Sequence, residues 1–139
     1  MDPFRLAEVS TAGLLAQKAR VEAAAANLAH LHASSADPAA RYRPVAAVIQ
    51  AAPSRFGTGW QAAAGPTVHI VPSDGPPRRA YEPGHPHADA DGIVSYPGVD
   101  PTREMLTVMG ALRAYEANLA ALQATRSLAA RALDIGGRA

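Results

Sequence analysis

The chain contains no cysteine, so disulfide bonds and thiolate metal sites are excluded. Aromatic residues make up only 5% of its 139 residues, and much of the 48% that is hydrophobic is alanine. Large side chains that could fill a core are therefore scarce. Because a compact monomer would have little material for an interior, we predict a chain that is stabilised by neighbouring subunits.

The chain also lacks an excess of positive or negative charge, since its 13 basic and 12 acidic residues give a net charge of +1. This balance gives no overall attraction to nucleic acid or to a membrane surface. The sequence lacks a run of about 18 apolar residues that could span a bilayer. The first residues, Met1 to Arg5, lack the basic region and apolar core of a secretory signal peptide. We therefore expect any export to use a machine that needs no cleaved signal.

Both ends of the chain carry helix patterns. Residues 5–32 are predicted to form one amphipathic helix and residues 101–135 a longer one. Gly13 interrupts the first pattern and indicates a bend or a close helix contact. The first helix has apolar residues at spacing seven and companion positions three residues later: Leu14, Val21 and Leu28, then Gln17, Ala24 and Leu31.

The second helix has a strong start signal, with Asp100 as the N-cap, Pro101 in the first helical position and Glu104 in the first turn. Its length of roughly 50 Å is typical of a rod-like or coiled-coil subunit. Asn118 lies beside its seam, where a hydrogen-bonded amide fixes register in coiled coils. The predicted seam consists of Met105, Val108, Leu112, Tyr115, Leu119, Leu122 and Ala129.

The middle of the chain is rich in proline and glycine. Short strands are predicted at residues 45–49, 67–71 and 93–96, with a turn or loop at residues 57–60. The predicted fold is mainly α, with two long terminal helices in a coiled-coil-like pair and a small irregular or β middle. The boundaries divide the chain into residues 1–33, 34–99 and 100–139.

Two segments carry a family resemblance. Residues 17–29 resemble the N-terminal signature of bacterial flagellar rod and hook proteins, in which a helix ends in an Asn-Leu-Ala-Asn type of motif. Here that motif is Asn27-Leu28-Ala29, followed by His30 in place of the second asparagine. Residues 81–100 are similar to the segment that precedes the C-terminal helix in proximal-rod members of the family. The match continues through Glu104-Met105, Ala114 to Asn118 and Ser127-Leu128.

The resemblance implies a structural subunit of the proximal rod of the flagellar basal body. Such proteins pass through the flagellar type III export apparatus without a cleaved signal, and their terminal helices order on assembly. They stack helically with themselves and with other rod subunits into a periplasm-spanning shaft that transmits torque. It implies no catalysis, cofactor, nucleic acid or small-molecule substrate. The assembly interface is then expected at Leu14, Val21, Asn27, Leu28, Leu31, Met105, Val108, Leu112, Tyr115, Asn118, Leu119 and Leu122.

Alternative interpretations remain open at this stage. Another flagellar rod protein, or an axial subunit of a related type III secretion system, fits the same helix pattern. A small metal-binding module that uses His85 and His87 is the alternative from a different class. These two histidines, followed by Asp89 and Asp91, occupy every second position of the segment. An exposed polar loop, in which the two aspartates accept turn hydrogen bonds, explains the same spacing. Neither a catalytic triad order nor a phosphate-binding loop is visible.

Several arginines flank the middle strands. A basic patch for nucleic acid is disfavoured by the balanced charge and by the lack of interleaved aromatic residues. We expect these arginines to pair with carboxylates of neighbouring subunits, because arginine suits ion pairs at interfaces. They are Arg41, Arg43, Arg78 and Arg79.

Overall fold

A computed structural model describes residues 3–50, 67–73 and 75–136. Two terminal helices enclose a small antiparallel β region, as the sequence predicts, whereas the turn predicted at residues 57–60 lies outside the described residues. Neither described helix combines the length and hydropathy needed to cross a membrane. The elements in chain order are α1 (Pro3–Ala29), a 3-10 turn (Pro38–Ala40), β1 (Val45–Gln50), β2 (Thr67–Pro72), β3 (Arg78–Tyr81), β4 (Ile93–Tyr96) and α2 (Pro101–Gly136).

The two helices pack against each other in antiparallel directions. Asn27 near the end of α1 meets Glu104 in the first turn of α2, and Gly13 lies opposite Asn118. The contacting faces are built mainly from small residues, which allow the two helix axes to approach closely. The buried apolar residues of this contact are Ala16, Ala23, Ala24, Ala111 and Leu122.

The contact between the helices lies beside the row of larger apolar residues that the sequence places in the seam. Met105, Leu112 and Leu119 are 56%, 49% and 39% exposed, so these three seam residues do not pack onto α1. Leu14, Val21 and Leu28 of α1 are half-buried, while the alanines beside them are buried. The seam is therefore divided, since Leu122 is buried and Val108 half-buried while Met105, Leu112 and Leu119 remain partly exposed. The coiled-coil contact predicted for the exposed residues stays a prediction.

The β region consists of two separate hairpin-like pairs. β1 pairs with β2 from Val45 opposite Pro72 to Gln50 opposite Thr67, and β3 pairs with β4 from Arg78 opposite Tyr96 to Tyr81 opposite Ile93. Three of the four strands match the predicted ones. β3 was missed because its residues, Arg-Arg-Ala-Tyr, show no apolar alternation, so that its conformation depends on pairing with β4.

The loop between β3 and β4 is closed by local hydrogen bonds. The Asp89 carboxylate accepts from the backbone N–H groups of Asp91, at 3.0 Å, and Ile93, at 2.8 Å. The turn role predicted for Asp89 is thus confirmed. Gly92 has a φ of +74°, in the left-handed region that glycine adopts without strain, and a Cβ there would lie 3.0 Å from the ring of Tyr81.

The two arginines of β3 contact residues of their own chain, whereas the sequence analysis expects them to pair with carboxylates of neighbouring subunits. Arg79 forms an exposed ion pair with Asp89 at 3.8 Å. The Arg78 guanidinium lies 4.6 Å from the ring centre of Tyr96. This tyrosine and Val94 are buried and supply the largest apolar side chains of the β core.

The ends of the helices follow the capping signals closely. The Asp100 carboxylate accepts from the backbone N–H groups of Thr102, at 3.0 Å, and Arg103, at 3.3 Å, which confirms the predicted N-cap of α2. The first helix ends at Ala29, slightly before the predicted residue 32, and residues 30–32 form a turn.

Gly13 provides a test of the close helix contact, with Gly110 as a matched control. A Cβ at Gly13 would lie 3.0 Å from the Asn118 amide, whereas nothing lies within 4 Å of one at Gly110. We expect Gly13→Leu to force the helices apart at a cost of about 1–3 kcal/mol per subunit. Gly110→Leu should be neutral or slightly stabilising because leucine favours helix.

The readout is the amount of subunit recovered in purified basal bodies relative to its total level in cells. Loss of recovery with Gly13→Leu alone is the expected result. Equal recovery of both variants would show that the helices do not approach closely at Gly13.

Candidate assembly site

A single buried amide joins the three parts of the chain. The Asn27 side chain is only 2% exposed, although it is polar. Its Nδ2 donates to the Val45 carbonyl oxygen at 2.8 Å and to Glu104 Oε1 at 3.0 Å. Its Oδ1 accepts from the Tyr42 hydroxyl at 3.0 Å and from the Val45 N–H at 2.9 Å. Two donors and two acceptor positions are all that a side-chain amide has, so Asn27 is fully satisfied.

Each partner of Asn27 comes from a different part of the chain. Tyr42 precedes β1, Val45 is the first residue of β1, and Glu104 lies in the first turn of α2. The partners are 15, 18 and 77 residues away from Asn27 in the sequence. We call Asn27, Tyr42, Val45 and Glu104 the Asn27 cluster. It fixes α1, β1 and α2 relative to one another.

Glu104 has a tertiary role besides its place in the predicted helix start. An acidic residue in the first turn is favoured by the helix dipole. The structure shows Asp100 capping the helix, as predicted, while the Glu104 carboxylate accepts from the Asn27 amide. Glu104 thus interacts favourably with the dipole of α2 and also bonds to Asn27 of α1.

The Tyr42 hydroxyl is held as a hydrogen-bond donor. Burial raises the pKa of Tyr42 above its usual value, and the nearby Glu104 carboxylate raises it further. The His30 ring stacks on Tyr42 with ring centres 4.2 Å apart and planes 8° from parallel. Its Nδ1 donates to the Ala26 carbonyl oxygen at 2.9 Å, because a carbonyl oxygen can only accept. The histidine that replaces the second motif asparagine therefore covers the Asn27 cluster.

A cleft of about 250 Å³ lies beside the Asn27 cluster. Residues of α1, β1 and the first turns of α2 line it, among them Ala24, Ala46 and Thr107. Four charged side chains also line it, and their charges balance: Arg20 and Arg103 against Asp100 and Glu104. Neither arginine forms an ion pair with another described residue. The cleft therefore combines small apolar walls with charges of both signs.

Large apolar side chains are exposed along the length of α2 and on several sides of it. Nine large apolar side chains of α2 are exposed, and α1 adds Val9 at 64% and Leu15 at 58% exposure. We call the α2 set the outer strip. It consists of Met105, Leu106, Met109, Leu112, Tyr115, Leu119, Leu128, Leu133 and Ile135.

The predicted interface residues fall into three groups according to their burial. Asn27 and Leu122 are buried within the chain, and four others belong to the outer strip: Met105, Leu112, Tyr115 and Leu119. The rest are half-buried: Leu14, Val21, Leu28, Leu31, Val108 and Asn118.

Within the chain, the amide of Asn118 packs against Gly13, and no hydrogen bond joins its side chain to another described residue. Its register-fixing role in a contact between subunits stays a prediction. The amide that joins α1 and α2 within the chain is Asn27. A sequence signal for this existed, since Asn27 follows the buried Ala23 and Ala24 at helical spacing and so shares their face.

The histidine pair in the loop makes contacts within the chain. His85 Nδ1 accepts from the His87 N–H at 3.0 Å, and His87 Nδ1 lies 3.0 Å from the Ser34 hydroxyl. Their ring centres are 5.3 Å apart. Within residues 3–50, 67–73 and 75–136, no group of three or more His, Cys, Asp or Glu side chains could hold a metal ion. The pair thus lacks a third ligand in this part of the chain.

Comparison with known proteins identifies the family. Residues 90–135 match the family described as flagellar basal body rod FlgEFG protein C-terminal. The flagellar basal-body rod protein FlgC of Salmonella typhimurium is 34% identical over 131 residues, covering 93% of this chain and 94% of its own. FlgC of Bacillus subtilis is 30% identical over 98% of this chain and 99% of its own. FlgC of Aquifex aeolicus is 30% identical over 96% and 97%.

The chain belongs to the FlgC family of flagellar basal-body rod proteins. The resemblance inferred from residues 17–29 and 81–100 is thereby confirmed. The structure adds that Asn27, which lies in the first segment, bonds to Glu104, which follows the second segment by four residues. In this FlgC-family chain, parts of the sequence that carry the resemblance therefore meet in space.

Asn27→Asp tests the Asn27 cluster. The new carboxylate would face Glu104 and the Val45 carbonyl oxygen, where the amide now donates two hydrogen bonds. An uncompensated buried charge costs about 3–5 kcal/mol. We expect severe loss of the subunit from purified basal bodies at normal cellular levels, measured by immunoblot.

Two further variants sharpen this test. Adding Glu104→Gln to Asn27→Asp should restore part of the recovery, because the glutamine amide can donate to the new carboxylate. Asn118→Asp makes the same chemical change at a half-buried amide without hydrogen bonds to described residues, so its effect should be smaller. Equal losses at residues 27 and 118, with no rescue, would contradict the assignment.

Proposed function

We propose that this FlgC-family chain is a structural subunit of the proximal rod and assembles helically, with itself and with other rod subunits, through its terminal helices. It catalyses no reaction and needs no cofactor. Residues 1–33 and 100–139 form the axial part in this proposal, and residues 34–99 brace them. The observation that carries it is the outer strip.

The distribution of apolar side chains supports assembly. Alanines fill the contact between α1 and α2, whereas the large apolar residues of α2 remain exposed. Soluble monomers rarely expose extended apolar patches, and such patches mark protein-protein contacts. The outer strip runs along α2 from Met105 to Ile135, as expected of a subunit that is packed lengthwise against others.

The spacing of the strip supports a coiled-coil-like contact between subunits. Met105, Leu112 and Leu119 repeat every seven residues and are exposed, while Val108 and Leu122, three residues further on, turn toward α1. A heptad face can therefore contact α1 of its own chain along one row and a neighbouring helix along the other.

Location and export follow from the family. The basal-body rod is the location of this family, and we propose that this chain lies in the periplasm-spanning shaft that transmits torque. We also propose that the chain is exported through the flagellar type III apparatus. A different rod subunit or a related type III axial subunit is the nearest alternative, and no observation favours a metal-binding module.

Charges placed on the outer strip test the proposal. Leu112→Asp or Leu119→Asp would bury a carboxylate in the subunit contact and lower its stability by about 3 kcal/mol or more. We expect non-motile cells with normal subunit levels, measured by swimming assays and immunoblots. Ala121→Asp is the matched control, because it adds the same charge at an exposed alanine on the side of the helix opposite Leu112 and Leu119. Normal swimming of the leucine variants would exclude burial of the strip.

We further propose that the terminal helices are only weakly ordered before assembly. The helix contact buries mostly alanine, and each buried alanine contributes little hydrophobic free energy. Limited proteolysis of the purified free chain should therefore remove residues 1–32 and 101–139 faster than it cuts the same segments in isolated basal bodies. Equal protection in both samples would contradict this part of the proposal.

A further inference from the structure

A second cleft, of about 190 Å³, lies where the segment before β1 meets the end of β4. Arg41 and Arg43 line it, and neither forms an ion pair with another described residue. The Nε–H group of Arg41 is buried and has no hydrogen-bond acceptor in the described part of the chain. Since buried polar groups nearly always have a partner, this donor indicates an acceptor that lies outside the described residues of one copy. We call this cavity the arginine cleft.

The charge of the arginine cleft is positive, because none of its described lining residues is acidic. The nearest described carboxylates have other partners. Asp37 caps the 3-10 turn, and Glu82 accepts from the Tyr96 hydroxyl at 2.9 Å. Arg78 adds a further cation, 4.6 Å from the ring centre of Tyr96. Asp74 follows a lining residue in the sequence but lies outside the described residues, so the experiment below must separate it from an outside partner.

A carboxylate on α2 lacks a cation. Glu116 is exposed and forms no ion pair with another described residue, including Arg113 three residues before it. It lies four residues after Leu112 and three before Leu119, so the three side chains are neighbours on the helix surface. The proposed function buries these two leucines between subunits, and Glu116 is then buried with them. A carboxylate that leaves water needs a cation and hydrogen bonds.

We propose that Glu116 of one copy enters the arginine cleft of a second copy and pairs with Arg41 and Arg43. This inference rests on the proposed function and specifies one contact of the assembly. Arginine suits the role, because its planar guanidinium group can donate two hydrogen bonds to one carboxylate. The cleft has room for a glutamate side chain, since a cavity of about 150 Å³ holds benzene.

The surroundings of the arginine cleft favour an ion pair at an assembled interface. Four of its lining residues are prolines, whose apolar rings exclude water from the pair and so strengthen the attraction. The cleft and Glu116 belong to different surfaces of the chain, so the contact joins unlike faces of two copies. Such a contact can repeat along an open series of copies. The four prolines are Pro38, Pro44, Pro77 and Pro97.

Zero-length cross-linking tests this contact, because a carbodiimide joins a carboxylate to an amine only where the two groups touch. Arginine does not react in this way, and Lys18 is the only lysine of the chain. One tagged copy carries Arg43→Lys and Glu116→Gln, so it offers a new amine without the carboxylate. A second copy with a different tag keeps both residues. Both are expressed in cells without the native gene, and purified basal bodies are treated with the carbodiimide.

We expect a cross-linked band that carries both tags, in which mass spectrometry finds the introduced lysine joined to Glu116 of the second copy. Glu116→Gln in the second copy as well should remove this product. Arg131→Lys in place of Arg43→Lys is the matched control, because it adds an amine at an exposed arginine outside the cleft, and it should not give the product.

The other outcomes of the cross-linking are equally clear. If both copies are in the basal bodies and the introduced lysine joins only other carboxylates, whether Asp74 of its own chain or an acid of another rod protein, the proposal is wrong. The rod assignment then stands. If the unsubstituted chain is itself absent from basal bodies, the rod assignment fails, and this inference fails with it.

A charge exchange tests the same pair in case the lysine variant does not assemble. Glu116→Arg would place a third cation beside the two arginines, and recovery of the subunit in basal bodies should fall roughly tenfold or more. Adding Arg43→Glu should restore recovery, since the pair forms again with its charges exchanged. Arg131→Glu makes the same second change outside the cleft and should not restore it. A neutral Glu116→Arg, or equal results with the two second changes, would overturn the pairing.

Discussion

The fold depends on satisfying one buried amide. Asn27 can complete its four hydrogen bonds only when α1, the approach to β1 and the first turn of α2 are all in place. Leaving any buried donor or acceptor unpaired costs about 1–3 kcal/mol. A slip of α2 by one residue would move Glu104 by about 1.5 Å and rotate it by about 100° around the helix, away from the amide. Asn27 therefore selects one register from the many that an alanine-rich contact would tolerate.

That selection matters because the helix contact itself specifies little. Alanine faces are smooth and bury a small area, so neighbouring registers differ little in hydrophobic free energy. The larger buried side chains, Val94, Tyr96 and Val99, lie near the β3–β4 pair and the start of α2. The Tyr96 hydroxyl donates to Glu82 at 2.9 Å, and this hydrogen bond is the main cause of its raised pKa. Specific packing is thus concentrated at one end of the molecule.

The sequence predicts what depends on local signals. The N-cap at Asp100, the close contact at Gly13 and three of the four strands follow from residue type and spacing, and the structure agrees. The pairing of β3 and the tertiary role of Glu104 depend on residues distant in the chain, which local patterns do not report. Periodicity also weights leucine above alanine, so the predicted seam contains Met105, Leu112 and Leu119, which are exposed, and omits Ala16, Ala23 and Ala111, which are buried within the chain.

The same amide decides which surfaces the folded chain can present. The cleft beside the Asn27 cluster is lined by α1, β1 and α2 together, so it exists only after the Asn27 cluster has formed. The exposed row of Met105, Leu112 and Leu119 lies on α2 alone, but its position relative to α1 depends on the register that Asn27 selects. Any contact between subunits that uses both helices therefore depends on the satisfaction of a single amide.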